Sequence, residues 1–145
     1  MSAGTKVFNI LLAEDNAADV EMVRAALREH HVPYALEVVH DGAKAAEALR
    51  RWDDDPKAQS LDLCILDMHL PKCDGEGILN TLRSTEKYAQ TPVIVMSGVH
   101  SPDVEKAATK HAAMVVFQKP SSVEEYLRLG SIVRDVLGKR GGAAV

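Results

Sequence analysis

Asp67 closes an apolar run and is followed at once by a proline loop, in the order Leu61-Asp-Leu-Cys-Ile-Leu-Asp67-Met-His-Leu-Pro71-Lys-Cys-Asp-Gly75. Two more acids, Glu14 and Asp15, close a second apolar run; Ser97 closes a third, and Lys119, followed by Pro120, comes after a fourth. A side chain at the C-terminal tip of a strand is held by rigid backbone, and in an open parallel sheet that edge is where ligands collect. Carboxylates gathered there repel one another unless a cation neutralises them, and oxygen-only ligands select Mg2+ or Mn2+ over zinc. A carboxylate beside such an ion is able to attack phosphorus and carry an aspartyl-phosphate. Mg2+ and the Lys119 ammonium would together stabilise the charge that develops, and the Ser97 hydroxyl would bond a phosphoryl oxygen. Each piece also has a plainer reading. Glu14-Asp15 is also an acidic helix start, Asp67 an ordinary strand-end acid, Ser97-Gly98 a turn and Lys119-Pro120 a bend. Their joint placement, each at the end of a different strand, is what favours the site.

Five short apolar runs must supply those strands: Val7–Ala13, Leu36–Val39, Leu61–Leu66, Val93–Met96 and Met114–Phe117. They recur about every 20–30 residues, the length a strand–helix–strand unit needs. Three are apolar on nearly every residue, which implies strands covered on both faces. Helical patterns fill the gaps. The first runs from Ala17 to His30 with Asn16 as N-cap and Val20, Val23, Ala26 and Leu27 inward. The second runs from Ala43 to Trp52 after Asp41-Gly42, with Ala45, Ala48, Leu49 and Trp52 inward; the third follows Asp74-Gly75 and carries Ile78, Leu79 and Leu82. The fourth has Ser101 as cap, Pro102 at its first position and Asp103 in its first turn. The fifth opens on a capping box, Ser122-Val-Glu-Glu125, and runs to Leu137. Alternating βα units give an α/β domain with a parallel sheet. Helices on both faces require a reversal of strand order, and the flavodoxin-like order 2-1-3-4-5 sets the first and third strands side by side. That order brings Glu14, Asp15 and Asp67 together. We expect an arm at residues 1–6, one domain over 7–138 and a flexible tail at 139–145.

Bulk properties narrow the partners. With 145 residues the chain is one domain large enough for a sizeable core, and a formal net charge of −4 argues against direct nucleic-acid binding. No 18-residue apolar stretch and no signal-like N-terminal segment occur, so a cytoplasmic protein without membrane contact is expected. Cys64 reads as a small buried hydrophobe and Cys73 as a loop residue, with no disulfide or zinc spacing. The fifth helix is anomalous. Val123, Tyr126, Leu127, Val133 and Leu137 form a core stripe, but Leu129, Ile132 and Val136 widen the apolar arc to roughly 220°, beyond a one-sided stripe. Either Leu129, Ile132 and Val136 form a partner or self-association surface, or the neighbouring fourth helix or the tail covers them.

With these motifs in view, the chain resembles the receiver domains of two-component response regulators over residues 8–137. The motifs are Leu11-Leu-Ala-Glu14-Asp15-Asn, Leu66-Asp67-Met-His-Leu-Pro71, Asp74-Gly75, Val95-Met-Ser97-Gly98 and Gln118-Lys119-Pro120. The resemblance implies that Asp67 is the phospho-acceptor and that Glu14, Asp15 and Asp67 bind Mg2+ with the Met68 carbonyl. It also implies that Ser97 is the switch hydroxyl and Lys119 the phosphate-binding lysine. The stretch Glu14–Val20, the long linker after the second helix and Ser101-Pro-Asp-Val104 are most similar to stand-alone receivers served by phytochrome-type histidine kinases. A phosphoryl group from a sensor histidine kinase would then change the surface of the fourth helix, fifth strand and fifth helix. The signal would pass to a downstream protein, a phosphotransfer partner or a second copy of the chain.

The chain departs from the family at Val116, which stands where an aromatic is usual, three residues before the lysine; Phe117 should face the core instead. His69 either tunes the lifetime of the phosphoryl group or is a solvent-exposed loop histidine. Two other readings stay open: a receiver that binds partners without being phosphorylated, and a small aspartyl-phosphate phosphatase. The phosphatase would normally carry Asp-x-Asp, whereas Asp67-Met-His69 lacks the second acid.

Overall fold

A computed structural model describes residues 6–69, 75–98, 102–113 and 115–141. Five parallel strands form one sheet in the order β2-β1-β3-β4-β5: β1 Phe8–Ala13, β2 Tyr34–Val39, β3 Leu63–Asp67, β4 Val93–Ser97 and β5 Val115–Gln118. The helices are α1 Ala17–Glu29, α2 Gly42–Asp54, α3 Gly75–Ser84, α4 Pro102–Lys110, α5 Val123–Leu127 and α6 Leu129–Gly141. The α/β class, the strand order and the single sheet agree with the expectation. The Pro71 loop with Cys73 and Asp74, the Ser101 cap and Met114 lie outside the described residues.

Alternation along the strands divides the core in two. Ile10, Leu12, Leu63, Ile65, Ile94, Met96 and Phe117 face α1, α5 and α6. Leu11, Ala13, Cys64, Leu66, Val93 and Val95 face α2, α3 and α4. Every residue of β3 and β4 is buried, as expected of strands with helices on both sides. Phe117 joins the α1 side, whereas Val116 packs partly buried on the opposite side. The caps act as the sequence indicates: the side chains of Asn16, Asp41 and Ser122 accept from the backbone N–H groups of Asp19, Lys44 and Glu125.

The fifth helical pattern requires a correction, because it is two helices and not one. Arg128 adopts φ −63° and ψ −19°, and its N–H donates to Glu125 O at 3.2 Å, a tightened turn between α5 and α6. Beyond that turn, Leu129, Val133, Val136 and Leu137 fall on one face and are all buried in the core. At about 100° per residue the buried Tyr126, Leu129, Val133, Val136 and Leu137 share one stripe, and the arc is broadened by exposed Val123 and partly buried Leu127 and Ile132. Leu129 and Val136 are therefore core residues, Ile132 packs partly buried beside them, and these three do not form a partner surface. Val123, assigned inward, is 60% exposed. Gly130 permits the packing of α6 on α1: a Cβ there would stand 2.2 Å from Ala26 O and 2.4 Å from His30 Cδ2.

Candidate functional site

The C-terminal ends of β1, β3 and β4 and the residue after β5 converge. Glu14 leaves β1 with its N–H donated to Val39 O at 3.0 Å, which fixes it against β2. Asp67 ends β3, and Ser97 ends β4 one position along from it, since Asp67 pairs with Met96. Lys119 follows β5, and its N–H donates to Ser97 O at 2.8 Å, tying the lysine to the serine strand. Gly75 opens α3 against the strand end: its N–H donates to Met68 O at 3.2 Å. A Cβ at Gly75 would lie 2.5 Å from Met68 Sδ and 2.7 Å from Met68 Cα, so no larger residue fits.

Glu14, Asp15 and Asp67 each present a carboxylate oxygen within 4.8 Å of the others. Glu14 is fully buried and Asp67 is 6% exposed, while Asp15 is open to solvent. The Lys119 ammonium lies 2.7 Å from Glu14 Oε1, 3.1 Å from Asp19 Oδ2 and 3.2 Å from Asp67 Oδ2. The other Asp67 oxygen accepts from the His69 N–H at 2.9 Å, and Glu14 Oε2 accepts from the Asn16 N–H at 3.2 Å. Two backbone donors thus fix the rotation of the two carboxylates. The structure brings together Glu14, Asp15, Asp67 and Lys119, with Ser97 and Met68 on the adjoining strand ends. The His69 side chain is exposed.

Burial pushes the Glu14 carboxyl up to about 7, against the opposing effect of the Lys119 hydrogen bond and charge. Burial alone would lower the Lys119 ammonium, but hydrogen bonds to Glu14 and Asp19 and the charges of Glu14 and Asp67 outweigh it and hold it above its usual range. Three acids, Glu14, Asp19 and Asp67, thus meet one lysine, with Asp15 beside Glu14 and Asp67. Glu14 Oε1 is buried with the Lys119 ammonium as its close partner. The all-oxygen donor set of Glu14, Asp15 and Asp67 fits a hard divalent cation such as Mg2+. The Met68 carbonyl, with one lone pair given to Gly75, keeps a second for such an ion.

Two residues that sequence reasoning left outside the site contact it. Asp19 lies in the first turn of α1 and reaches Lys119; its other oxygen accepts from the Tyr126 hydroxyl at 3.0 Å. Tyr126 read as a core residue, and its pairing with a residue 107 positions away is a tertiary fact without a local mark.

The sequence profile of the response regulator receiver domain matches residues 10–129. The chain belongs to this family. Among relatives of this receiver is response regulator Rcp1 of Synechocystis sp. (strain ATCC 27184 / PCC 6803 / Kazusa), 30% identical over 94 residues, which span 65% of this chain and 64% of Rcp1. The structure of the phosphorylated cyanobacterial phytochrome response regulator RcpA superposes with a TM-score of 0.81 at 27% identity, covering 92% of this receiver and 96% of RcpA. The Mn2+-bound form of Rcp1 shares the fold, with a TM-score of 0.76 at 23% identity over 88% of this chain and 92% of that one. Among the described residues, no helix is long and apolar enough to cross a membrane.

Proposed function

We propose that this receiver takes a phosphoryl group onto Asp67 from the phosphohistidine of a sensor kinase and signals through changed protein contacts. The observation that carries the reading is the meeting of Asp67 with Lys119 at 3.2 Å inside the Glu14, Asp15 and Asp67 group, at the strand edge of a receiver fold. An Asp67 oxygen attacks phosphorus; the P–O bond forms as the P–N bond breaks, and the departing imidazole keeps the electron pair and takes up a proton. The His69 N–H holds the carboxylate in one rotation, and Lys119 supplies positive charge to the phosphoryl oxygens. Ser97, at the neighbouring strand end, would bond a phosphoryl oxygen through its hydroxyl. Glu14, Asp15, Asp67 and the Met68 carbonyl would hold Mg2+, which when bound neutralises the acids and the phosphoryl charge. The exposed His69 imidazole is the candidate for tuning the phosphoryl lifetime.

RcpA is a phytochrome response regulator, and the likeness to it supports a phytochrome-type histidine kinase as donor. The receiving surface would be that of α4, β5 and α5, met by a downstream protein, a phosphotransfer partner or a second copy, in the cytoplasm. The test is labelling by a phosphorylated histidine kinase or by acetyl phosphate with Mg2+. Wild type should gain an acid-labile phosphoryl group and Asp67→Asn none. Labelling of the variant at the wild-type rate overturns the assignment.

A further inference from the structure

The three donors of the Lys119 ammonium face three carboxylates, so a phosphoryl group on Asp67 can engage the lysine only by displacing one of them. Glu14 and Asp67 are fixed on strand ends and share the cation group with Asp15. Asp19 is different. It sits on α1, lies outside that group, is 21% exposed at its side chain and makes the 3.1 Å contact. Asp19 is thus the partner freest to follow the lysine or to release it. Its second oxygen is bound by the hydroxyl of Tyr126, a buried ring on α5. That ring packs on Phe117 of β5, with centroids 5.7 Å apart and planes at 56°, and its hydroxyl lies 4.0 Å from Met96 Sδ. A single carboxylate therefore spans the phosphate-binding lysine and α5.

We propose that Asp19 is a positioning residue for Lys119 and that the Asp19–Tyr126 hydrogen bond carries the state of the site to α5. The inference rests on the phospho-acceptor reading of Asp67. In the resting chain Asp19 holds the ammonium from the α1 side. When the lysine turns to a phosphoryl oxygen, the Asp19 carboxylate loses or shifts its cationic partner, and the Tyr126 hydroxyl moves with it. The ring then repacks against Phe117, which displaces α5 relative to β5. Val116 offers no ring on the other face of β5, so Tyr126 is the aromatic next to the site that can respond. Burial and the adjacent Asp19 carboxylate hold the phenol well above its usual range, which keeps it a donor in this bond.

The experiment is amide NMR of the full chain, titrated with beryllofluoride and Mg2+ as the probe. In wild type, shifts are expected at Asp67 and Ser97 and also along Glu124–Leu127. In Tyr126→Phe the site amides should still shift, while those of α5 lose their response. Asp19→Asn keeps an acceptor for the phenol but sets an amide against the ammonium, and the same split is expected. Its partly exposed position also keeps the test open should Tyr126→Phe fail to fold. A full α5 response in either folded variant overturns the link, as does a wild-type response confined to the site. The absence of any site response in wild type overturns the phospho-acceptor reading itself, and the link with it.

Discussion

Replacing Lys119 by Met keeps the aliphatic stem and removes the ammonium that meets Glu14, Asp19 and Asp67. At an effective dielectric of about 20, the contacts at 2.7, 3.1 and 3.2 Å each represent about 5–6 kcal/mol of attraction before desolvation is subtracted. The net loss is smaller, because breaking a buried pair from one side typically costs about 3–5 kcal/mol. Two features pull the value to the lower end. The Lys119 side chain is 15% exposed, and Glu14, with its carboxyl pushed to about 7, takes a proton when its partner is gone. The expectation in EDTA at pH 8 is a loss of about 3 kcal/mol, or a Tm lower by about 10 °C for a domain of this size. At pH 6 the deficit shrinks. The folded Glu14 carboxyl has a raised pKa, so its burial is tolerated while protonated and becomes costly as pH rises through about 7.

Mg2+ should partly rescue the variant. Lys119 occupies the oxygens a cation would use, so its removal should tighten Mg2+ binding by about ten-fold, equivalent to about 1.4 kcal/mol. Because a ligand that binds only the folded chain stabilises it by mass action, saturating Mg2+ then closes the gap between variant and wild type by the same about 1.4 kcal/mol. Thermal unfolding followed by circular dichroism, in EDTA and across a MgCl2 titration, measures both quantities. A variant Tm within a degree or two of wild type in EDTA (about 0.5 kcal/mol) would refute the claim that Lys119 is the internal counterion. Equal stabilisation of both proteins by Mg2+ would refute the competition between lysine and metal.

Gly130→Ala should destabilise the protein by about 1–3 kcal/mol in urea unfolding, although alanine gains about 1 kcal/mol in a helix interior, because its methyl would meet Ala26 O. Unchanged or increased stability would contradict the close α1–α6 contact. Arg83 donates to the carbonyls of His111, Ala89, Thr91 and Ala112 at 2.8, 3.0, 2.7 and 3.3 Å, pinning α3 to two loops. Arg83→Met should cost about 2–3 kcal/mol by the same assay, since it strands carbonyls that a charged donor had satisfied, and a loss below about 0.5 kcal/mol would count against that role. Burial raises the Cys64 thiol to about 12, leaving a thiolate fraction of roughly one in ten thousand at pH 8. In a Cys73→Ser variant, Cys64 should therefore react with a disulfide reagent only once urea unfolds the chain, and rapid labelling of folded protein would be inconsistent with its burial.

The sheet was legible because burial on both faces leaves continuous apolar runs, as in Leu63–Leu66 and Val93–Met96. The edge strand β2 begins at Tyr34, two residues before the apolar run suggested, because its half-buried face alternates and blurs the start. Leu61 and Asp62 precede β3: the Asp62 N–H donates to Asn9 O at 2.8 Å, but the Asn9 N–H is met by the Asp62 carboxylate, also at 2.8 Å, and not by a strand carbonyl. The split at Arg128 left no mark, since neither glycine nor proline stands there and a tightened turn is open to any residue. Glu14, Asp15, Asp67, Ser97 and Lys119 could be read because they lie at the ends of four strands, and strand ends are countable. Asp19 could not, because an acid in a first helical turn is fully explained by the helix dipole.

The reason Asp19 escapes notice lies in how the site is built. Reading residue types assigns each acid or lysine one task, either a metal or a phosphate. In the folded chain the tasks overlap: Lys119 neutralises Glu14 and Asp67, the same carboxylates that lie with Asp15 in the cation group. A lysine serving as internal counterion lets the domain fold around buried acids without a metal, and leaves it with a cation to hand over when stronger charge arrives. The handover must change something that the lysine held. Among the described residues, Asp19 is the lysine partner that Tyr126 of α5 also binds, so the proposed route for motion of the ammonium starts there.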